Sequence, residues 1–325
     1  MTATATPSQT KPGAVPVAAR LDRGKLPWYK RWPPSHIIAY CILVPGAILF
    51  VAPFAWLVSA SFQHMSDIFS WPPQWIPKHP TLHGYKTFLG IGSAASDESS
   101  PQAWRWFANS VFVAGSVTLL QLFFNSLAAY VFAKRHFPGR NAIFMLFLAT
   151  MMIPGQVTLI PNYLVLKHVP FFGGNNFLGQ GGSGWLDSYY GLILPGAVSS
   201  FGIFLLKQYM DSIPDDLMEA ARIDGASEFK IYWRIILPLC GPALAAMGIF
   251  TFTAAWEDFF WPLIIVSSPD HYTVPLGLAL FVVKNRTQWD VLMSGSVIAT
   301  LPMIAVFMIF QRRFIQGIAV SGLKG

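Results

Sequence analysis

The sequence predicts an all-α, polytopic membrane protein with six transmembrane helices and a cytoplasmic helix–turn–helix loop. Of its 325 residues, 54% are hydrophobic and only 11% are charged, whereas about a quarter of the residues in a soluble domain are charged. The apolar residues fall into blocks, each long enough to cross a hydrocarbon core of ~30 Å at about 1.5 Å of helix rise per residue. A polar stretch between the fourth and fifth blocks has the spacing of two short helices joined by a turn.

The predicted elements follow in order along the chain. Residues 1–35 are rich in Ala, Thr, Pro and basic residues and lack the apolar core of a signal peptide, which predicts a disordered cytoplasmic tail. The transmembrane domain is expected at 36–311, with spans at 37–61, 107–133, 142–166, 190–209, 241–266 and 291–310. Prolines inside several spans are tolerated where neighbouring groups satisfy the freed carbonyls. Residues 312–325 are a predicted cytoplasmic tail.

Basic residues in the connections predict the orientation. Sixteen of the 22 Lys and Arg residues lie in the two tails and in the second and fourth connections, and six lie on the opposite side. Because positively charged connections stay in the cytoplasm, both termini and the loop at about 207–240 are expected there. The same distribution explains the net charge of +7 without nucleic acid as a partner. Cys41 and Cys240 lie at predicted membrane edges and imply no disulfide framework.

The connections on the opposite side differ in kind. Residues 63–104 are aromatic and Pro-rich, residues 169–188 are rich in Gly and Asn, and residues 267–289 form the third connection. They are either docking surfaces for an extracytoplasmic partner or caps on the helix bundle. Gly179, Gly181 and Gly184 spell G-x-G-x-x-G, but no strand precedes them, so a nucleotide site is not predicted.

The loop at about 207–240 carries local signals for helix, tight turn and helix. Pro214 suits a first helical turn, and Gly225 suits the position just past a helix end, where a positive φ is favoured. Ser227 is placed to cap a second helix that ends near Pro238. An apolar stripe at helical spacing is expected from Ile213, Leu217, Ala220 and Ala221. An ordinary amphipathic connector also explains these signals.

The sequence contains no constellation for catalysis or metal binding. It has no G-x-x-x-x-G-K-[S/T] phosphate-binding loop, no G-x-S-x-G and no His/Cys cluster with metal spacing. We therefore expect no catalytic residue, no metal site and no cofactor bound by this chain. If ATP drives its function, the ATPase must be another polypeptide.

Several short motifs together resemble one family of membrane proteins. The loop carries Glu219-Ala220-Ala221, then Gly225 and Ile235-Ile236-Leu237-Pro238. Further motifs are Ile153-Pro154-Gly155-Gln156-Val157, Gly191-Leu192-Ile193-Leu194-Pro195, Phe259-Phe260-Trp261-Pro262-Leu263 and the tail Ser321-Gly322-Leu323-Lys324-Gly325. Over 36–325 the chain resembles the second permease subunit of carbohydrate importers of the ATP-binding-cassette (ABC) class, the maltose and glycerol-phosphate importer group.

The resemblance implies a transport subunit of the bacterial inner membrane rather than an enzyme. Its expected partners are a second, different permease, two ATPase subunits that bind ATP and Mg²⁺, an extracytoplasmic solute-binding protein and membrane lipid. In that family the loop docks on the ATPase, and the corresponding positions are Glu219, Ala220, Ala221, Arg222, Asp224, Gly225, Ala226 and Pro238. The tail approaches the ATPase dimer, which implicates Ser321, Gly322 and Lys324. Glu219 and Arg222 are also spaced to pair with each other.

The resemblance implies a sugar or related polyol as the substrate. Sugar sites combine aromatic faces with hydrogen-bonding side chains, so the candidate path residues are Gln121, Asn125, Asn162, Trp256, Glu257, Asp258 and Phe260. For each of them, packing or hydrogen bonding between helices is the alternative.

Glu257 and Asp258 are the only carboxylates in any predicted span, and the family often has Asn at the first of these two positions. Adjacent helix positions point about 100° apart, so the two cannot share one face. We expect at least one to face the interior of the permease pair, because a carboxylate that faces lipid is costly. The alternative function is an ion-coupled secondary transporter that uses these two acids.

Overall fold

The computed structural model describes the backbone of residues 34–91, 102–282 and 287–321, and these residues form helices and connections with no strand among them. The first helices are α1 Pro34–Ala60, α2 Met65–Ile68, α3 His83–Leu89, α4 Ala103–Lys134, α5 Arg140–Thr150 and α6 Gly155–Lys167. The remaining helices are α7 Tyr189–Ile193, α8 Ser200–Asp211, α9 Asp216–Ile223, α10 Glu228–Leu239, α11 Gly241–Glu257, α12 Phe260–Ile265, α13 Val274–Ala279 and α14 Trp289–Ser321. The predicted all-α class is confirmed.

The chain divides into two compact units, Met1–Ala55 and Trp56–Gly325. The described part of the first unit is the segment of α1 that begins at Pro34, and Pro45 and Pro53 lie inside this helix. The second unit contains the other helices, the loop that follows α8 and the cavity described below.

Among the residues that the structure describes, four stretches are long and apolar enough to cross a membrane, namely Ile38–Ala60, Ala103–Lys134, Tyr189–Asp211 and Trp289–Gln311. Two bent helix pairs pass the same test together: α5 with α6, at 101°, and α10 with α11, at 78°. If each bent pair is one span, the number of spans in this part of the chain is up to six. The second pair begins at Glu228, inside the loop at about 207–240, so it does not coincide with the predicted fifth span at 241–266.

The third predicted span, 142–166, is not a straight helix. Helix α5 ends at Thr150, and α6 begins at Gly155 in a different direction. The reason is Pro154, which has no backbone N–H and disfavours the α conformation at the residue before it. The fifth predicted span, 241–266, is also interrupted, because Asp258 has an extended backbone between α11 and α12.

Polar side chains on α4 hold the interrupted fourth stretch in place. Gln121 Nε2 donates to the Gly196 carbonyl (2.8 Å), and Asn125 Oδ1 accepts from the Ser199 backbone N–H (3.1 Å). The Thr251 hydroxyl on α11 donates to Gln121 Oε1 (3.1 Å). These contacts satisfy backbone groups that the break between α7 and α8 leaves free of helical partners, as a membrane interior requires. They join α4, α8 and α11 in one junction.

The last helix extends beyond the predicted end of the transmembrane domain. Helix α14 continues to Ser321, although the domain was expected to end at 311. Gly322 and Lys324, which the resemblance places near the ATPases, lie outside the described residues, as does the Ser321 side chain.

Candidate functional site

The loop after α8 presents one exposed face. Glu219, Ala220 and Asp224 are exposed, and Ile223 is 87% exposed. Helix α9 then ends in a turn in which Gly225 has a φ of +77°, as its position predicts. Ile223 is the most exposed apolar side chain of α9, ahead of Leu217 at 45%.

The opposite face of the loop is buried in a hydrophobic core. Ile213 and Ala221 belong to this core together with Met218, whereas Leu217 and Ala220 are exposed. The predicted apolar stripe is therefore wrong at Leu217 and Ala220, because α9 is rotated so that Met218 is buried instead. The core also contains residues of α4, α8 and α10, so the loop packs directly on the membrane helices.

A buried lysine anchors the start of α9 to the end of α4. The Lys134 side chain is 3% exposed, and its Nζ donates to the Ile213 carbonyl (2.6 Å) and to Asp215 Oδ1 (2.7 Å). The hydrogen bond from Lys134 is the main cause of the lowered pKa of Asp215. Such a bond holds two segments together firmly, because leaving the ammonium buried and unpaired is costly.

A second anchor is Glu228, at the start of α10. Its Oε1 lies 2.6 Å from an Arg135 guanidinium nitrogen and 3.0 Å from Arg222 Nε. Its Oε2 accepts a hydrogen bond from the Tyr130 hydroxyl (2.8 Å). Arg222 therefore pairs with Glu228, and this hydrogen bond is the main cause of the raised pKa of Arg222. Glu219 is left on the exposed face.

The turn itself is closed by local backbone contacts. The Gly225 N–H donates to the Arg222 carbonyl (3.0 Å), and the Ala226 N–H donates to the Ala221 carbonyl (2.9 Å). Ser227 Oγ accepts from the Lys230 backbone N–H (3.4 Å) and caps α10, as predicted. Pro238 lies exposed near the end of α10.

The anchoring residues Lys134, Asp215, Glu228, Arg135 and Tyr130 were not among the predicted site residues. The available signal was the basic pair at the end of the second span together with acids in the loop. That signal does not identify which basic residue pairs with which acid, because the partners are 81 to 98 residues apart in the sequence. Only the tertiary structure brings them into contact.

Two of the predicted path residues, Gln121 and Asp258, line one cavity of about 370 Å³ between α4, α8, α11 and α12. Asp258 Oδ1 accepts the Trp261 backbone N–H (3.3 Å) at the start of α12. The rings of Phe250 and Trp261 also line the cavity.

The other five predicted path residues do not line this cavity. Asn125 is buried in the junction on α4, and Trp256 is 3% exposed and donates from Nε1 to the Ala299 carbonyl (3.0 Å). Both side chains therefore serve helix packing. Asn162, Glu257 and Phe260 are exposed on the surface of this subunit.

On the side opposite the α9 loop, hydrogen bonds of Asn109 and Asp187 link the connections to one another, and we call this region the tied surface. Asn109 Nδ2 donates to the carbonyls of Asp270 (2.8 Å) and Tyr272 (2.9 Å). Asp187 Oδ1 accepts from the Ser268 backbone N–H (3.0 Å) and from its hydroxyl (3.0 Å), which joins the second and third of the connections on this side. Partial burial acts to raise the pKa of Asp187, but the Ser268 hydrogen bonds hold it below its usual value.

Comparisons with known proteins agree with this architecture. The family described as "Binding-protein-dependent transport system inner membrane component" matches residues 122–320. The arabinooligosaccharides transport system permease protein AraQ of Bacillus subtilis is 40% identical over 222 residues, covering 68% of this chain and 74% of the relative. The probable ABC transporter permease protein YurM of Bacillus subtilis is 30% identical over 302 residues, 91% of each chain.

Two further similarities cover most of the chain. The sn-glycerol-3-phosphate transport system permease protein UgpE of Yersinia enterocolitica is 30% identical over 288 residues, 88% of this chain and 96% of the relative. A solved bacterial ABC transporter involved in the import of the acidic polysaccharide alginate has the same fold, with a TM-score of 0.70 and 22% identity over 86% of this chain and 95% of that chain.

The expected class of transport protein is confirmed by these matches, and nothing in them favours the ion-coupled alternative. The two carboxylates of that alternative are also separated, because Asp258 lines the cavity and Glu257 does not. The chain belongs to the family of binding-protein-dependent transport system inner membrane components, and it is a multi-pass permease subunit of an ABC importer rather than an enzyme.

Proposed function

We propose that this subunit forms half of the translocation path for a sugar or related polyol. A second, different permease supplies the other half, two ATPase subunits bind ATP and Mg²⁺, and a solute-binding protein delivers the substrate from outside. Both termini and the α9 loop are cytoplasmic in this proposal, which rests on the bias of basic residues toward that side.

The observation that carries the coupling role is the two-faced structure of the α9 loop. Its exposed face, with Glu219, Ala220, Ile223 and Asp224, is open for an ATPase, while its other face is packed in the core. Lys134 and the Glu228 cluster tie the loop to α4 on both sides of the turn. Because α4 packs against α8 and α11, a displacement of α9 by the ATPase is transmitted to the helices that surround the cavity.

The sugar assignment is supported by two kinds of observation. Relatives carry names that refer to arabinooligosaccharides and sn-glycerol-3-phosphate. The cavity combines aromatic rings with Gln121, Ser199, Thr251 and Asp258, the side-chain classes that bind sugars.

The remaining partner contacts follow from the same orientation. The tied surface around Asn109 and Asp187 faces outward and is the docking side for the solute-binding protein. A solved alginate ABC transporter is described in complex with a periplasmic protein that holds an alginate pentasaccharide. The C-terminal residues Ser321, Gly322 and Lys324 approach the ATPases.

The test is substitution of Gly225 in the assembled complex, reconstituted in liposomes with its solute-binding protein. Gly225→Asp places a side chain where φ is +77° and where an L residue is strained. We expect the subunit to assemble but to lose ATPase stimulation and transport.

The matched control is Gly139→Asp. Gly139 has a φ of +79° and lies in a different connection, between α4 and α5, on the same side of the membrane in this proposal. Docking through α9 would be contradicted if both variants lost ATPase stimulation and transport to the same extent. It would also be contradicted if Gly225→Asp kept wild-type coupling.

A further inference from the structure

We infer that the cavity between α4, α8, α11 and α12 is the sugar-contacting subsite of this subunit and that Asp258 makes it selective for uncharged sugars over acidic ones. The inference rests on the proposed function and goes beyond it, because it names the substrate class. It follows from the cavity's size, its aromatic walls and its single charge.

The size and walls suit a sugar ring. The volume of about 370 Å³ falls within the range of about 300–1,000 Å³ that is typical of small-molecule sites. Trp261 lines it with its ring held in place, since Nε1 donates to the Gly191 carbonyl (3.0 Å). Phe201 and Phe250 also line it and are partly open to the surface of this subunit. Rings of this kind stack on the apolar face of a sugar.

Hydrogen-bonding groups in the cavity divide into occupied and available ones. Gln121 is engaged with Gly196 and Thr251, so it shapes the wall. Asp258 accepts from the backbone N–H groups of Trp261 and Phe260, and a carboxylate accepts about four hydrogen bonds. Asp258 therefore retains the capacity to accept hydrogen bonds from sugar hydroxyls. The Ser199 hydroxyl accepts from the Gly202 N–H and offers its own proton to a sugar oxygen.

Charge decides the selectivity. Among the described residues, Asp258 is the one acidic group that lines the cavity, and no Lys, Arg or His lines it. A uronate or phosphate group placed there meets a carboxylate without a compensating cation in a partly desolvated space. Like charges brought together in this way disfavour binding strongly. A neutral sugar meets only acceptors and aromatic faces.

Asp258 also caps α12 through its contact with Trp261, so a purely structural role must be separated from substrate contact. The cavity is open toward the surface of this subunit, and the competing explanation is that a helix of the partner permease fills it. Both alternatives predict effects of Asp258 substitutions on assembly or stability, but neither predicts a change in the preference between neutral and acidic sugars.

The experiment measures sugar binding to the assembled permease–ATPase complex in nanodiscs, without solute-binding protein, by saturation-transfer NMR. The probes are neutral arabinotriose and maltotriose and the acidic trisaccharide of mannuronate. For the wild type we expect the neutral sugars to bind more than about tenfold better than the acidic one. Asp258→Asn keeps the shape and one acceptor oxygen, and we expect it to reduce this preference to within about threefold.

The matched control is Glu257→Gln, which removes the same charge one residue away but outside the cavity. It should leave the preference unchanged. The inference is overturned if the wild type binds both classes equally, if the two variants behave alike, or if Asp258→Asn lowers only assembly yield. Uptake of the same sugars, measured with the solute-binding protein present, distinguishes a failure of this inference from a failure of the proposed function. Uptake without a selective cavity refutes the inference alone, whereas no uptake of any sugar refutes the proposed substrate as well.

Discussion

Replacing Lys134 by Met should loosen the α9 loop from α4 without removing its exposed face. Met keeps the apolar stem of the lysine but cannot donate to the Ile213 carbonyl or to Asp215. Ile213 is buried, and a buried acceptor that loses its donor costs about 1–3 kcal/mol. The Asp215 side chain is 67% exposed, so water replaces the lost ion pair and we assign no further cost to it.

A loss of about 1–3 kcal/mol corresponds to about 5- to 150-fold in the equilibrium between the anchored and the released loop. The assay is hydrogen exchange of the α9 amides in the assembled complex, together with the ratio of substrate transported to ATP hydrolysed. We expect faster exchange by a factor in that range and a lower transport ratio, while Ile223 stays exposed for docking.

The control for this prediction is Lys207→Met. Lys207 pairs with Asp211 one turn along α8 (2.6 Å), and its Nζ lies 4.9 Å from the ring centroid of Phe144 on α5. Neither of these contacts involves α9. Unchanged exchange and coupling in Lys134→Met, or equal effects in both variants, would refute the view that Lys134 anchors the loop.

Three further predictions follow from the same contacts. Glu228→Gln leaves Arg135 and Arg222 without their shared carboxylate, so we expect coupling to fall by about two- to tenfold, and wild-type coupling would contradict this. In a cysteine-free background, Ser183→Cys should label from outside and Ser227→Cys only after permeabilisation, and the reverse pattern would overturn the orientation. Because the folded pKa of Asp187 is lowered, the stability that it contributes is present above its unfolded pKa of about 3.9 and is lost as pH falls through its folded value. Asp187→Asn should remove this acid dependence of melting, and an unchanged profile would contradict the assignment.

The features that the sequence predicts correctly are local ones. Gly225 and Ser227 are recognisable because a positive φ and a helix cap depend on the residue itself and its immediate neighbours. The spans are recognisable because composition over about 20 residues decides whether a segment suits the hydrocarbon core. Neither signal depends on the tertiary structure.

The features that were missed depend on direction and on distant partners. Composition gives the apolar content of 142–166 and Pro154 marks where the helix breaks, but neither gives the 101° angle between α5 and α6. Trp256 and Asp258 both looked like path residues, and the rotation of α11 places one in packing and the other in the cavity. Lys134 contacts Asp215 only because the fold places the end of α4 next to the start of α9.

The central claim, that the exposed face of α9 docks on an ATPase, is tested most directly by crosslinking from Ile223. A photoreactive reporter on Ile223→Cys should form an adduct with an ATPase subunit in the assembled complex. The same reporter on Met152→Cys, a residue of similar exposure at the bend between α5 and α6, should not. An assembled, active complex in which the Ile223 reporter forms no ATPase adduct would contradict the account.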